Sequence, residues 1–371
     1  MKTTWLPLSL AVLGLVGITS AAEAPARRAR PPAIVSPELA EDRRVTFRLM
    51  APKATEVLVV GQWNEGRVPL VKGSNGLWSA TTGPIEPGVW EYSFQVDGLA
   101  MIDPGNPAIK PMRAPRTSIL SVPGQPPLLC EFQDVPHGVV HQHTYRSKSL
   151  DRVRELVVYT PPGYEQAGAT FPTLYLQHGS GDNQATWVAH GKAHWILDNL
   201  IAQGRAKPMV VVMMDGHAAL GGGERMMQNY ISLFERDLLE DVLPFIEKTY
   251  RVKTDATSRA IVGLSMGGGQ SLGIGLRHTD RFAWVGGFSS AIPDTDSIAE
   301  SLAHADATNQ QLKLLWIACG KDDFLLKRNT DFIALLTEKK IQHTWKQSEG
   351  AHSWPVWRGY LAEFAPLLFQ P

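Results

Sequence analysis

Cysteine is scarce in this sequence, and neither sign of charge is in excess. Two cysteines among 371 residues exclude a disulfide scaffold and a cysteine-rich zinc module. The 36 basic residues balance the 36 acidic ones, so the chain has no global field that would attract a polyanion. We therefore expect no nucleic-acid partner. With 44% hydrophobic residues, the chain can bury the cores of two domains.

Long hydrophobic runs are also missing, apart from one near the N-terminus. The apolar run 6–18 follows the basic residue Lys2 and precedes Ser20-Ala21-Ala22, which are small residues typical of a signal-peptide cleavage site. The run is shorter than the ~20 apolar residues that a membrane-spanning helix needs. We predict a signal peptide over residues 1–22, no membrane span, and a mature protein that is secreted or periplasmic. An uncleaved N-terminal anchor is the alternative.

Export would place the two thiols in an oxidising compartment. Cys130 and Cys319 lie far apart in the chain, and Cys319 ends the apolar run 314–318. We predict a buried thiol at position 319 and no disulfide between the two cysteines.

Composition and periodicity change along the chain. Residues 23–37 are rich in Pro, Ala and Arg without a hydrophobic period, which predicts a flexible leader. Residues 38–124 contain short runs of alternating apolar and polar residues, punctuated by Gly and Pro, which predict a small β-sandwich. Residues 125–371 alternate apolar runs of strand length with amphipathic segments. This pattern predicts an α/β domain with a parallel sheet that is covered on both faces.

One short motif marks a nucleophile. Gly263-Leu264-Ser265-Met266-Gly267 fits the pattern G-x-S-x-G, between the predicted strand 260–262 and a predicted helix. In that context the motif is the nucleophile elbow of an α/β-hydrolase fold, in which glycines allow strand and helix to meet in a sharp turn. We therefore predict that Ser265 is exposed at a helix N-terminus as the nucleophile.

A serine hydroxyl needs a base, and in this fold the acid and then the histidine follow the serine along the chain. Asp323 follows the predicted strand 313–318 in a Gly-x-x-Asp pattern and is the predicted acid. His352 turns off the last predicted strand, 344–348, and is the predicted general base. Three other aspartates remain open as the acid: Asp322, Asp294 and Asp296.

The tetrahedral intermediate of acyl transfer needs an oxyanion hole. One N–H comes from the residue after the nucleophile, which is Met266. The second is expected from the loop after the predicted strand 173–177, where the amide of Ser180 is the first candidate and that of Gly179 the second.

Several other side chains are candidates for binding. Trp354 and Trp357 flank His352 and either wall an acyl pocket or pack against the final helix. Arg225, in a Gly- and Met-rich segment, is a candidate for the pocket rim. Trp63 is the candidate sugar platform of the sandwich, whereas Trp90 alternates with apolar residues and is predicted to be core.

No metal or cofactor is expected. The three histidines that could suggest a metal site, His137, His141 and His143, have no acidic or cysteine residue at a spacing typical of metal ligands.

The α/β part resembles the esterase D-like α/β-hydrolases and, within them, carbohydrate esterase family 1, the feruloyl and acetylxylan esterases. The resemblance covers about residues 130–371 and departs at Gln177, where an apolar residue is common. It is carried by the stretches 158–164, 174–179, 263–268 and 350–352, with Trp354 and Trp357.

The sandwich resembles the early-set immunoglobulin-like modules of carbohydrate-binding module family 48. The matching stretches are 45–52, 57–61 with Trp63-Asn64, 88–98, and Asp103-Pro104. The resemblance implies an immunoglobulin-like sandwich that binds carbohydrate. An immunoglobulin-like module also precedes the hydrolase domain in enterochelin esterases, so this architecture alone does not define the substrate.

Together the residues and the resemblances predict an exported serine esterase that hydrolyses feruloyl, or acetyl, esters on plant cell-wall polysaccharide. The alternatives are an enterochelin-type siderophore esterase and an acyltransferase of the same fold, and more remotely a non-catalytic glycan-binding protein. Arg225 and Lys321 are the only obvious basic residues near the predicted site loops, which speaks against an anionic siderophore.

Overall fold

Two antiparallel sheets build the first folded part of the chain. The structure is a computed structural model, and it describes residues 33–166, 168–218 and 231–370. One sheet has the strand order β1-β2-β6-β5, and the other has the order β4-β3-β7-β8 with β9 paired to β7. The strands are β1 (Glu38–Leu39), β2 (Val45–Met50), β3 (Val57–Gly61), β4 (Arg67–Pro69), β5 (Val71–Lys72), β6 (Leu77–Thr82), β7 (Gly88–Val96), β8 (Leu99–Met101) and β9 (Ser118–Val122).

The core of this sandwich follows the alternation seen in the sequence. Val45, Phe47 and Leu49 point inward from β2, as expected for a strand with one buried face. Phe47 contacts Tyr92 of β7, with ring centroids 5.1 Å apart. The predicted β-sandwich is confirmed.

Two of the three tryptophans of the sandwich, Trp63 and Trp90, lie in surroundings that differ from those expected. Trp63 is only 7% exposed and stacks on Phe47 with the ring planes 6° apart, so it does not form an open platform. It still lines a cleft of the sandwich, and its role as a glycan contact stays a prediction. Trp90, predicted as core, is half-buried, and its indole N–H donates to the carbonyl of Glu86. Trp90 lines a cleft of about 600 Å³.

The second folded part contains one sheet of eight strands, in the order β10-β11-β13-β12-β14-β15-β16-β17. The strands from β12 to β17 are parallel, as predicted. β10 and β11 are antiparallel to each other, and β11 is antiparallel to β13, so the sheet is mixed. The short turn between β10 and β11 makes that pair antiparallel, because it cannot carry a parallel crossover. The strands are β10 (Val139–Ser147), β11 (Arg152–Thr160), β12 (Thr173–Gln177), β13 (Val210–Met214), β14 (Arg259–Leu264), β15 (Trp284–Phe288), β16 (Leu314–Gly320) and β17 (Thr344–Ser348).

Helices cover both faces of this sheet, and a separate hydrophobic cluster fills each face. The central strands β13 and β14 are buried along their whole length, which explains their continuous apolar sequence. A π-helical turn, Asp237–Val242, lies directly before the α-helix Leu243–Thr249. The described α-helices are α1 (Thr186–Ala189), α2 (Ala193–Ala202), α3 (Leu243–Thr249), α4 (Met266–Arg277), α5 (Ala299–Ala303), α6 (Ala305–Gln311), α7 (Leu326–Glu338) and α8 (Trp354–Phe364).

The sandwich and the α/β part pack against each other, and the chain from Ile34 onward forms one compact unit. Buried Arg358 of α8 joins them, because its guanidinium donates to the carbonyls of Val89 and His190. Burial lowers the pKa of this arginine to about 10. The domain division at residue 124 stays a prediction.

Three further predictions concern export and the thiols. The proposed signal peptide lies outside the described residues, as does most of the leader. Within the part of the chain that the structure describes, no helix is long and apolar enough to cross a membrane. Cys130 and Cys319 are both buried free thiols.

Candidate active site

Ser265 lies in a sharp turn between β14 and α4. Its backbone has φ +53° and ψ −116°, a conformation that a non-glycine residue adopts only where the surroundings enforce it. The surroundings do so here, because a Cβ atom at Gly263 would lie 2.5 Å from the carbonyl oxygen of Gly267. A Cβ atom at Gly267 would lie 2.4 Å from the carbonyl oxygen of His178. Strand, helix and the loop after β12 therefore meet at the serine.

The tight packing of this turn predicts a large stability effect at Gly263. We expect Gly263→Ala to lower the free energy of unfolding by about 2–3 kcal/mol, because the clash is with backbone that cannot move aside. Thermal denaturation followed by circular dichroism measures the effect. Gly359→Ala is the matched control, since a Cβ atom there meets nothing within 4 Å and alanine favours the helix. Equal melting temperatures for Gly263→Ala and the parent chain would contradict this account of the turn.

The structure brings Ser265, His352 and Asp323 together in one hydrogen-bonded line. His352 Nε2 lies 3.0 Å from Ser265 Oγ, and His352 Nδ1 lies 2.9 Å from Asp323 Oδ2. Because Nδ1–H donates to the carboxylate, Nε2 is free to accept the serine proton. The side chain of Asp323 is fully buried, and that of His352 is 18% exposed.

The environment of Asp323 keeps its carboxylate ionised. Burial on its own would raise the pKa of Asp323, but hydrogen bonds from His352, from the backbone N–H of Leu325 and from Ser289 outweigh it. The net effect is a pKa below the ordinary value for aspartate. The N–H of Leu325 donates to Oδ1 over 2.8 Å, so the backbone itself orients the carboxylate.

The other aspartates considered as the acid lie elsewhere. Asp322 is exposed, and only its backbone N–H is used, in a bond to the carbonyl of Gly350. Asp294 caps the short 3₁₀ helix Thr295–Ile298 by accepting from the N–H of Asp296, and both side chains are exposed.

A cavity of about 210 Å³ opens at Ser265 and His352. Gly179 and Ser180 line it, as does Asp182 from the same loop. Trp354 and Trp357 line it as well, with both rings buried. Both lie on α8 itself and so do not pack against the final helix from outside, and their role as walls of an acyl pocket stays a prediction. Arg225 lies outside the described residues.

Gly179 and Met266 lie next to the nucleophile, and the oxyanion hole formed by Met266 with Ser180 or Gly179 stays a prediction. A Cβ atom at Gly179 would lie 3.3 Å from the Cβ of Ser265, so this loop runs directly past the serine. Met266 begins α4, and the first N–H groups of a helix have no partner within the helix. The buried side chain of His178 links the loop after β12 to the loop after β13. Its Nδ1–H donates to the Gly179 carbonyl, and its Nε2 accepts from the N–H of Gly216.

Sequence reasoning missed the contribution of the sandwich to this cavity. Its lining includes Gln62, Glu91, Lys110, Met112 and Arg116. These residues are far from Ser265 in the sequence, and no motif marks them. Arg116 is exposed, whereas Lys110 is 5% exposed.

Phe324 was also missed as a site residue. Its ring centroid lies 4.5 Å from that of His352, yet the side chain is 76% exposed. The signal available in the sequence was its position directly after the predicted acid.

The histidines that had been weighed as metal ligands make hydrogen bonds within the protein. His137 Nδ1 lies 2.9 Å from Asp198, and His141 Nε2 lies 3.0 Å from Thr160 Oγ1. His143 bonds to the hydroxyl of Tyr250. Over the described ranges, no group of three or more His, Cys, Asp or Glu side chains is arranged to hold a metal ion.

Comparison with known protein families gives two matches. Residues 147–368 match the family model described as "Putative esterase". The chain belongs to this esterase family. Residues 33–110 match carbohydrate-binding module 48, the isoamylase N-terminal domain. These matches confirm the resemblances on both parts of the chain, and they confirm the prediction of a serine esterase at the level of the family.

The relatives of this esterase include enzymes named for feruloyl esters. An endo-1,4-beta-xylanase/feruloyl esterase from Xylanibacter ruminicola is 32% identical over 335 residues, which is 87% of this chain. The chain spans 44% of the length of that relative. A solved ferulic acid esterase is 28% identical with a TM-score of 0.55, and the match covers 63% of this chain and 99% of that structure.

One solved structure matches both folded parts. The enterobactin esterase from Shigella flexneri has a TM-score of 0.63, covering 88% of this chain and 93% of its own. At 19% identity, this likeness concerns the fold alone.

Proposed function

We propose that this chain is a serine esterase in which Ser265 is the nucleophile, His352 the general base and Asp323 the residue that orients the histidine. The observation that carries the proposal is the continuous hydrogen-bonded line from Ser265 Oγ through the imidazole to a buried carboxylate. This line starts at a strained turn that presents the serine to a cavity.

In the acylation step, Ser265 Oγ attacks the ester carbonyl carbon while His352 Nε2 takes the hydroxyl proton. The ionised Asp323 stabilises the imidazolium that forms and holds its Nδ1–H toward itself. The negative charge moves to the former carbonyl oxygen, which the backbone N–H groups of Met266 and Ser180 stabilise. Both donors are backbone groups, so their positions depend on the turn and on the loop after β12.

The tetrahedral intermediate then collapses, and His352 gives its proton to the departing alcohol oxygen. The acyl group stays on Ser265 as an ester. Water attacks that ester by the same route, with His352 as base, and the products are a carboxylic acid and the free serine. We propose hydrolysis, with acyl transfer to another alcohol as the alternative, because the family model that matches residues 147–368 describes an esterase.

For the substrate we propose feruloyl esters on plant cell-wall polysaccharide, with acetyl esters as the second acyl group. The names of two relatives that are 28% and 32% identical support a hydroxycinnamoyl group. The aromatic surroundings of His352 also favour an aromatic acid, because the rings of Phe324 and Trp357 lie 4.5 Å and 4.9 Å from the imidazole centroid. The match of the sandwich to carbohydrate-binding module 48 supports a polysaccharide carrier.

A siderophore ester is the second candidate, because the cavity is lined by a cationic side chain that the sequence analysis did not place at the site. Arg116 is exposed and could contact an anionic substrate. Lys110 also lines the cavity, but its ammonium lies 3.0 Å from both Glu91 and Asp182, which already neutralise it. Among the residues that the structure describes at this cavity, Arg116 by itself is a weak complement to a trianionic iron chelate, so we rank this candidate second.

Export is part of the proposal. Lys2, the apolar run 6–18 and the small residues 20–22 support a cleaved signal peptide and a secreted or periplasmic enzyme. Release from plant polysaccharide requires this location, since such polymers do not enter cells.

Side-by-side hydrolysis of methyl ferulate, 4-nitrophenyl acetate and enterobactin tests the substrate proposal. We expect kcat/KM for methyl ferulate to exceed that for enterobactin by about 100-fold or more, because the rings of Phe324 and Trp357 beside His352 favour a single aromatic acyl group and Arg116 is a weak complement to an anionic siderophore. Liquid chromatography of the released acids measures all three. Cleavage of enterobactin alone would support the siderophore esterase instead. If kcat/KM were highest for 4-nitrophenyl acetate, the proposed acyl group would be acetyl and not feruloyl.

A further inference from the structure

The loop that carries the proposed oxyanion donor is held from the sandwich side. We call residues 178–182 the oxyanion loop, and we call Glu91 together with residues 110–113 the clamp. We propose that the clamp, through Lys110, positions the oxyanion loop, so that the sandwich takes part in the chemistry of every ester and not only in binding polymer. This inference rests on the proposed function.

The first contact of the clamp is a buried ionic link. Lys110 Nζ lies 3.0 Å from Glu91 Oε1 of β7 and 3.0 Å from Asp182 Oδ1 of the oxyanion loop. Lys110 and Asp182 are 5% and 4% exposed, so water does not screen the link. One ammonium group thus joins a strand of the sandwich to the loop beside the nucleophile.

The electrostatics of the link favour a fixed geometry. Burial opposes the ionisation of Glu91, but contacts from His190 and Lys110 outweigh it and lower the pKa of Glu91 to about 2. Burial raises the pKa of Asp182, and Lys110 opposes that rise. Lys110 is thus the main group that favours the charged form of Asp182. Removing the ammonium would leave buried Asp182 without its ion-pair partner and Glu91 with His190 alone.

The second contact of the clamp is made by backbone. Met112 pairs with Asp182 in an isolated antiparallel bridge, and the N–H of Arg113 donates to the Gly181 carbonyl over 3.0 Å. The buried hydroxyl of Thr186, just after the loop, donates to the Pro111 carbonyl over 2.7 Å. The backbone at Met112 and Arg113 thus covers the oxyanion loop on the side that faces the sandwich.

The opposite side of the loop is fixed by the α/β part. His178 donates to the Gly179 carbonyl, and His217 Nε2 accepts from the N–H of Gly181 over 3.3 Å. Ser180 therefore lies between residues that are bonded on both sides. Because an oxyanion donor must be placed within about 0.5 Å of its productive position, loss of either side should reduce turnover more than substrate binding.

Two full-length variants test the proposal. Lys110→Met removes the ammonium while keeping the length of the side chain. Thr186→Val removes the hydroxyl that donates to the Pro111 carbonyl and accepts from the N–H of Asn183, and it serves if the first variant does not fold. Lys72→Met is the matched control, because this lysine of β5 also lies in the sandwich but bonds to the Ala54 carbonyl. All variants are compared with the parent chain by hydrogen–deuterium exchange and by hydrolysis of 4-nitrophenyl acetate and methyl ferulate.

We expect faster amide exchange in the peptide covering residues 178–186 for both test variants and no change for Lys72→Met. We expect kcat, per active site titrated with a fluorophosphonate, to fall about 10- to 100-fold in Lys110→Met, with KM changed less than threefold. A role limited to folding would lower the titrated fraction and leave kcat per site unchanged, and that result would overturn the proposal. Unchanged exchange in the oxyanion loop would also overturn it.

The exchange measurement separates this proposal from the proposed function. If the parent chain hydrolyses no ester, the proposed function fails, and exchange at residues 178–186 still decides whether the clamp holds the loop. If the parent chain is active and only the exchange or the kcat expectation fails, the clamp is wrong and the esterase stands.

Discussion

Ser265→Ala is expected to reduce kcat for methyl ferulate by about 10⁵- to 10⁶-fold, the range found when a triad nucleophile is removed. The loss is this large because no other hydroxyl can form the acyl-enzyme at this position. The imidazole would then have only water to activate, in a site built around a covalent step. The residual rate would come from the oxyanion hole and from binding, which do not need the serine. Stopped assays with liquid chromatography of released ferulate measure it.

The matched control is Ser297→Ala, which removes an exposed hydroxyl from the short helix Thr295–Ile298 and should leave kcat unchanged. Melting temperatures within about 2 °C of the parent chain would show that both variants fold. Alanine at position 265 removes little buried contact, so no large stability effect is expected. A residual kcat within tenfold of the parent chain would show that another residue is the nucleophile.

The sequence was sufficient to predict the three residues in the hydrogen-bonded line because each follows a strand of the same sheet. Ser265, Asp323 and His352 come after β14, β16 and β17, which are parallel and end at one edge. A continuous apolar run identifies a buried strand, and the residue after its carboxyl end must then lie near the others. Local pattern and chain order are enough for such a site.

The residues contributed by the sandwich could not be predicted in this way. Glu91 and Lys110 reach the cavity only because two folded parts pack together, and a packing interface has no periodic signal in either part. The net charge of the chain gives no sign of this ionic link either, because the negative charges of Glu91 and Asp182 offset the positive charge of Lys110 at the site itself. Counting basic residues on the predicted loops therefore missed the cations of the cavity.

Trp63 shows a different limit of sequence reasoning. It follows β3 in a loop-like sequence, which favoured exposure, but Gly61 leaves space for the ring to fold back over the strand. A Cβ atom at Gly61 would lie 2.1 Å from the ring of Trp63. The glycine two residues before the tryptophan was the available signal, since only a residue without a side chain allows that contact.

The two neighbouring aspartates offer a sharp test of the proposed triad. We expect Asp323→Asn to lower kcat about 10⁴-fold, because an amide no longer holds the Nδ1–H tautomer or stabilises the imidazolium. Asp322→Asn should change kcat less than threefold, since that side chain is exposed and its bond to the Gly350 carbonyl is made by backbone. The two substitutions are chemically identical and one residue apart.

Full pH–rate profiles of both variants and the parent chain complete the test. Because the hydrogen bonds of Asp323 hold its pKa below the ordinary aspartate value, this carboxylate stays ionised from about pH 5 upward, and any loss of kcat on that acid side must come from another group. The profile of Asp322→Asn should therefore superimpose on that of the parent chain. A 10⁴-fold loss in Asp322→Asn, with Asp323→Asn near the parent rate, would assign the acid to the other aspartate. It would also require the loop after β16 to rearrange when substrate binds, because Asp323 already contacts both His352 Nδ1 and the N–H of Leu325.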